Sequence, residues 1–240
     1  TQALVGSGDD PHTYEPSPKQ MTNLADSELY FTIGVEFEAV WLPRFESSNP
    51  KMQVVDSAAG IERIPAIGEH ENTGSTGSET DPHIWFSPSR MKQMAQTMAQ
   101  AMQAADPQNA DFYQENLDAL LVKIDAVDAE VRAQLEGSKR EHFMVVHPAW
   151  GYVAQDYGLQ MLAVEIGGSE PAPETLSQII ELAKEYGVNT LVIEKGSNAR
   201  LADSIKEQAG IQYVVEWDPM AYDWPASMQL IAETLHRALN

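Results

Sequence analysis

Cysteine is absent from the 240 residues. That excludes disulfides, thiolate nucleophiles and any Cys-ligated zinc or iron–sulfur centre. Basic residues are scarce, 15 Lys and Arg against 36 Asp and Glu, for a formal net charge of -21. A field of that sign repels phosphate backbones and argues against nucleic-acid partners. No apolar run reaches the ~18–20 residues that span a bilayer. The first residue is Thr1 rather than Met, and no signal peptide is visible, so the expectation is a processed or trimmed chain. What remains is an ordinary globular composition, 43% hydrophobic, with enough length to bury a sizeable core.

Short apolar runs alternate with helical patterns. Ala3–Val5, Leu29–Ile33 and Met52–Val55 read as strands in the N-terminal part, with helices at Pro18–Ala25 and Phe37–Phe45. In the C-terminal part, Phe143–Val146, Leu162–Ile166, Thr190–Ile193 and Gln212–Val215 read as strands. Helices at Trp150–Tyr157, Pro173–Tyr186, Asn198–Gln208 and Pro225–Leu239 separate them. Alternation of this kind predicts parallel α/β sheets, one in each part. Between the parts, Ser87–Leu135 carries no strand signal. Ser87-Pro88 and Asp106-Pro107 both look like capped helix starts. The stretch from Pro107 to Leu135 has no internal Gly or Pro and could extend ~40 Å. It reads either as a spine joining two lobes or as one of two helices within one lobe. The segment Glu69–Thr80 is polar, rich in Gly, Ser and Thr, and predicts a mobile surface loop.

Three of six histidines share a context: Asp10-Pro11-His12, Asp81-Pro82-His83 and His147-Pro148, each followed by an aromatic residue within three positions. Proline stiffens the backbone beside each ring. His12 and His147 follow predicted strands, as does Asp218 in Trp217-Asp218-Pro219, while His83 precedes a helix. Ligands in parallel α/β sheets bind beyond the carboxyl ends of strands. Three imidazoles and a carboxylate from His12, His83, His147 and Asp218 would form a tetrahedral shell suited to Zn²⁺. A lone loop histidine is more often structural; the repeated motif is what favours ligation. His70 lies in the polar loop and is at most an auxiliary ligand, and His142 and His236 read as surface residues.

The motifs Gly8–Pro18, Asp81–Pro88, His147–Tyr152 with Asp156-Tyr157-Gly158, Gly167–Pro171 and Asp218-Pro219 run the length of the chain in a specific order. In this the sequence resembles the zinc- and manganese-binding solute-binding proteins of ABC importers, and within them the periplasmic high-affinity zinc uptake type. The resemblance implies two α/β lobes with parallel sheets joined by one long spine helix. It divides the chain into an N-terminal lobe at 1–106, a connecting helix at 107–136 and a C-terminal lobe at 137–240. It implies one ion in the cleft, held by His12, His83, His147 and Asp218. Manganese members carry Glu where His147 stands, so the imidazole points to Zn²⁺ over Mn²⁺. The implied function is non-enzymatic: a monomer in the periplasm, or on the outer face of the cell membrane, captures Zn²⁺ and hands it to a membrane permease. Zinc members often bear a histidine-rich acidic loop before the second motif; here Glu69–Thr80 keeps the acid but only His70. The family's first strand and helix have no counterpart after Thr1, and Asp9 replaces the usual small residue before the first Asp-Pro-His.

The competing expectation is a zinc hydrolase with a three-His site, for which Glu15 or Glu216 would serve as base, although no His-Glu-x-x-His motif is present. A surface adhesin with an incidental metal is a third reading, supported only by the acidic composition. Glu170 and Glu194 are candidates to accept the second N–H of a ligand histidine, against the simpler reading of a helix-start carboxylate and a surface ion pair.

Overall fold

A computed structural model describes residues 2–66, 80–165 and 169–240. The N-terminal half runs α1 (Pro18–Ala25), β1 (Leu29–Thr32), α2 (Glu36–Ser48) and β2 (Gln53–Asp56). Helix α1 starts on a capping box: Ser17 and Gln20 exchange side-chain-to-backbone bonds, and Pro18 occupies the first turn. Strands β1 and β2 pair in parallel, Leu29 beside Gln53 through Thr32 beside Asp56. A turn of 3₁₀ helix at Ile84–Phe86 leads into α3 (Pro88–Ala105), capped by Ser87.

Helix α4 (Ala110–Leu135) follows a 3₁₀ turn at Pro107–Asn109. Its 26 residues extend about 39 Å at 1.5 Å each. Ile124, Val127 and Val131 are its buried stripe. It packs on α3 at one side and on α8 (Trp224–Leu239) at the other. It therefore touches a helix of each half, as a spine does.

The C-terminal half adds β3 (His142–Val145), α5 (Gly151–Tyr157), β4 (Gln160–Ala163), α6 (Pro173–Glu185), β5 (Thr190–Glu194), α7 (Ala199–Ala209) and β6 (Tyr213–Trp217). Its strands form one parallel sheet in the order β4-β3-β5-β6. Side chains of β3 alternate between two cores. Phe143 and Val145 join a large cluster shared with Phe45, Phe86, Trp150, Trp217 and α8. Met144 and Val146 join a second cluster with Ile180 of α6 and Ile205 of α7. Helices thus cover both faces, as an all-parallel sheet requires. The large cluster contains residues from both halves, so the lobes share a core.

Most expected elements form within a few residues of their predicted ends. Ala3–Val5 does not become a strand. The β1–β2 sheet offers it no ladder; instead Leu4 and Val5 pack on the core, and the Leu4 carbonyl accepts from Gln20 Nε2 at 2.7 Å. His12 accordingly sits in a loop braced by side chains and does not follow a strand. Most of the Glu69–Thr80 loop, His70 included, lies outside the described residues.

Candidate metal centre

The carboxyl edge of the C-terminal sheet sets out half of the site. His147 lies two residues past β3, Glu165 two past β4, Glu194 ends β5, and Asp218 follows β6. Each of four parallel strands thus delivers one polar side chain to the same edge, where α/β sheets bind ligands. The N-terminal half supplies the other two imidazoles from turns. Asp10 Oδ1 accepts the His12 backbone N–H at 2.8 Å and Oδ2 accepts the Thr13 hydroxyl at 2.7 Å, closing a turn around Pro11. Asp81 Oδ1 accepts the His83 backbone N–H at 2.9 Å in the same way.

The three rings converge through their Nε2 atoms. His12–His147 is 3.1 Å, His12–His83 is 3.3 Å and His83–His147 is 3.4 Å. A tetrahedral zinc at 2.0–2.1 Å from each nitrogen requires N···N separations of ~3.3 Å. The triangle matches that spacing. Among the described residues no other trio of His, Asp or Glu converges in this way.

Each Nδ1 faces a carboxylate: His12 with Glu36 at 2.7 Å, His83 with Asp81 at 2.7 Å and His147 with Glu165 at 2.9 Å. An Nδ1–H donating to a carboxylate leaves Nε2 as a bare lone pair and fixes the ring's orientation, the arrangement usual behind metal-bound imidazole. Three bare lone pairs about 3.3 Å apart repel one another unless a cation or a proton sits between them.

The environments differ. His83 is buried, which pushes its pKa down; Asp81 works against that, and the other two imidazoles add to it. For His12, burial disfavours the imidazolium, but the hydrogen bond and charge of Glu36, with Asp10 and Glu194, outweigh it and raise the pKa. Glu194 is held up mainly by desolvation, against the pull of His147 and His12.

Asp218 stands apart from the trio. Its Oδ2 accepts the Ser7 hydroxyl and lies 3.5 Å from Lys195 Nζ, while Oδ1 accepts the backbone N–H of Met220 at 3.0 Å and of Gly8 at 3.4 Å. Burial opposes ionisation of this carboxyl, and these partners outweigh it, so its pKa is lowered. Of the other histidines, His142 stacks on Tyr186 at 3.9 Å and His236 Nδ1 bonds the Gln134 carbonyl at 2.7 Å, both away from the site. Glu15 and Glu216 are exposed. Neither Glu170 nor Glu194 holds an imidazole Nδ1; Glu170 accepts from Asn198 at 2.9 Å. The residues that do so, Glu36, Asp81 and Glu165, escaped sequence reasoning. Asp81 had a signal, its place two before His83, and Glu165 shared the strand-end position of His147. Glu36 had none beyond being a helix-start acid.

Two parallel-sheet lobes joined by a long helix, with imidazoles of both lobes converging between them, define a two-lobed metal-binding solute-binding protein. The profile of the family described as ZnuA, zinc-uptake complex component A, periplasmic, matches residues 1–238, and the chain belongs to that family. A crystal structure of ZnuA superposes with TM-score 0.91 at 34% identity, covering 99% of this chain and 89% of that one. A zinc-bound ZnuA lacking residues 138–173 gives 0.90, also at 34%, over 99% and 88%. The high-affinity zinc uptake system protein ZnuA of Bacillus subtilis (strain 168) is 28% identical over 218 residues, 86% of this chain and 67% of that protein. The zinc-binding lipoprotein AdcA of Streptococcus pneumoniae serotype 4 is 26% identical over 220 residues, 88% of this chain and only 44% of that protein. The chain thus spans less than half the length of that lipoprotein.

Proposed function

We propose that this chain captures Zn²⁺ outside the cytoplasm, in the periplasm or at the outer face of the membrane, and delivers it to the permease of an ABC importer. Zinc here is cargo. The observation that carries the reading is the triangle of Nε2 atoms, with edges of 3.1, 3.3 and 3.4 Å and a carboxylate behind each ring. The ligands are His12, His83, His147 and, on loading, Asp218, whose side chain turns from Ser7 and Lys195 to close the shell. Zinc is favoured over manganese because three imidazoles suit a borderline cation. The zinc-uptake relatives support the same cargo.

The lobes are bounded at 1–106 and 137–240 about the connection at 107–136. The protein acts as a monomer without nucleic-acid partners, consistent with its net charge of -21. On this reading it is a carrier and not an enzyme, as its zinc-uptake and zinc-binding relatives suggest.

Metal analysis of purified protein before and after chelation, followed by zinc titration, tests the reading. One equivalent of tightly held zinc, lost from His12→Ala and His83→Ala variants, is expected. Full binding by both variants would overturn the assignment.

A further inference from the structure

We infer that Gly151 and Tyr152, on the C-terminal side of the cleft, are positioning residues for His83 on the other side, acting through Asp81. Tyr152 is fully buried. Its hydroxyl donates to the Asp81 carbonyl at 2.7 Å and accepts the Ile64 N–H at 3.3 Å. Asp81 N–H in turn donates to the Ile64 carbonyl at 2.9 Å. One phenol therefore staples the backbone segment that carries Asp81 to the one that carries Ile64. Arg90 lies over the Tyr152 ring, 4.5 Å from its centroid, and pairs with Asp156 at 2.8 Å, so the helix bearing the phenol is fixed from a second point.

Gly151 acts by what it lacks. A Cβ there would fall 2.6 Å from Asp81 Oδ2 and 2.9 Å from Ile64 Cδ1. Its φ is not in the positive region, so backbone conformation makes no demand for glycine. Room for the Asp81 carboxylate does. With Oδ2 seated against Gly151, Oδ1 holds the His83 Nδ1 at 2.7 Å and directs Nε2 into the triangle. His147 lies only four residues before Gly151. A single stretch of chain thus supplies one imidazole of the trio and aligns another across the cleft.

This inference rests on the zinc reading for its functional consequence, and the test separates the two. In metal-free protein, imidazole ¹⁵N shifts report which His83 nitrogen carries the proton. Gly151→Ala should shift His83 from the Nδ1–H form toward a tautomer mixture, whether or not the parent binds zinc. Zinc affinity should fall by about 10- to 100-fold, the usual cost of losing a carboxylate behind a ligand histidine. Tyr152→Phe, which keeps the ring in the core, should move both readouts the same way by less. Val153→Ala on the same helix removes buried packing and should lower stability without changing either. Gly151→Ala should add nothing to either His83 readout in an Asp81→Ala background, where the Oδ2 clash is gone and the methyl meets only the movable end of the Ile64 side chain. Unchanged His83 shifts in Gly151→Ala, or an equal affinity loss in the Asp81→Ala background, would overturn the inference. A parent that binds no zinc yet shows the His83 shift on substitution would overturn the zinc reading alone.

Discussion

His12→Ala is the sharpest probe of the trio because it removes one proposed ligand with little damage to the core. The His12 side chain is 25% exposed and its partner Glu36 is 57% exposed, whereas His83 is almost wholly buried. Zinc that binds only the folded protein stabilises it by ~2.7 kcal/mol at a hundredfold excess over Kd. For a chain of this size that is a rise in melting temperature of roughly 5–10 °C. Zinc sites in small peptides are worth ~10–16 kcal/mol, or ~3 kcal/mol per ligand when divided over four, so losing one should weaken binding by at least ~100-fold. At the same free zinc the variant then retains only ~0.4 kcal/mol, about 1 °C. Differential scanning fluorimetry of chelated protein, with and without zinc held by a metal buffer, measures both shifts. His236→Ala, whose ring bonds the distant Gln134 carbonyl, should keep the full rise. A His12→Ala protein that rises as far as the parent would refute the convergence of the three Nε2 atoms on one ion.

Acidity provides another handle. His12 has a raised pKa, so protons compete with zinc from a higher pH than at an ordinary imidazole, and affinity falls as pH drops through that value. Glu36→Gln removes the hydrogen-bonded charge that raises it and should move the midpoint of affinity against pH downward; an unmoved midpoint would count against the pairing. His147→Glu should weaken zinc more than manganese and narrow their ratio in competition titrations, without inverting it. Asp218→Asn should loosen zinc, because the carboxylate completes the proposed shell; equal affinity in calorimetry would count against Asp218 as the fourth ligand.

Most strands and helix starts were legible because each rests on local physics. Ser17-Pro18 and Ser87-Pro88 cap helices that begin where expected. The apolar run of β3 is continuous because its two faces enter different cores. Ala3–Val5 failed for a non-local reason: its composition suits a strand, but a strand needs a ladder, and composition carries no information about the neighbour. The three imidazoles were legible for a similar mixture of reasons. Proline-stiffened turns and strand ends limit where a ring can go, so the sequence narrows the candidates before any contact is known.

Identical local sequence does not fix identical roles. Asp10-Pro11-His12 and Asp81-Pro82-His83 are the same tripeptide, and in both the aspartate accepts the N–H of the histidine two residues on. Only Asp81 also holds its histidine's Nδ1, at 2.7 Å. Asp10 spends its second oxygen on the Thr13 hydroxyl, and the His12 ring turns to Glu36 at the start of α2. Position 13 holds a hydroxyl donor, while the equivalent position after His83 is the buried Ile84, which offers none. The aspartate near Ile84 is further confined by Gly151 and Tyr152 from the opposite lobe. The part of the site that escaped the sequence is therefore the part decided by packing within each half, since Glu36, Asp81 and Glu165 each come from the same half as the ring they hold. A periodicity or a spacing cannot encode that, and only the packed structure assigns the carboxylate to each ring.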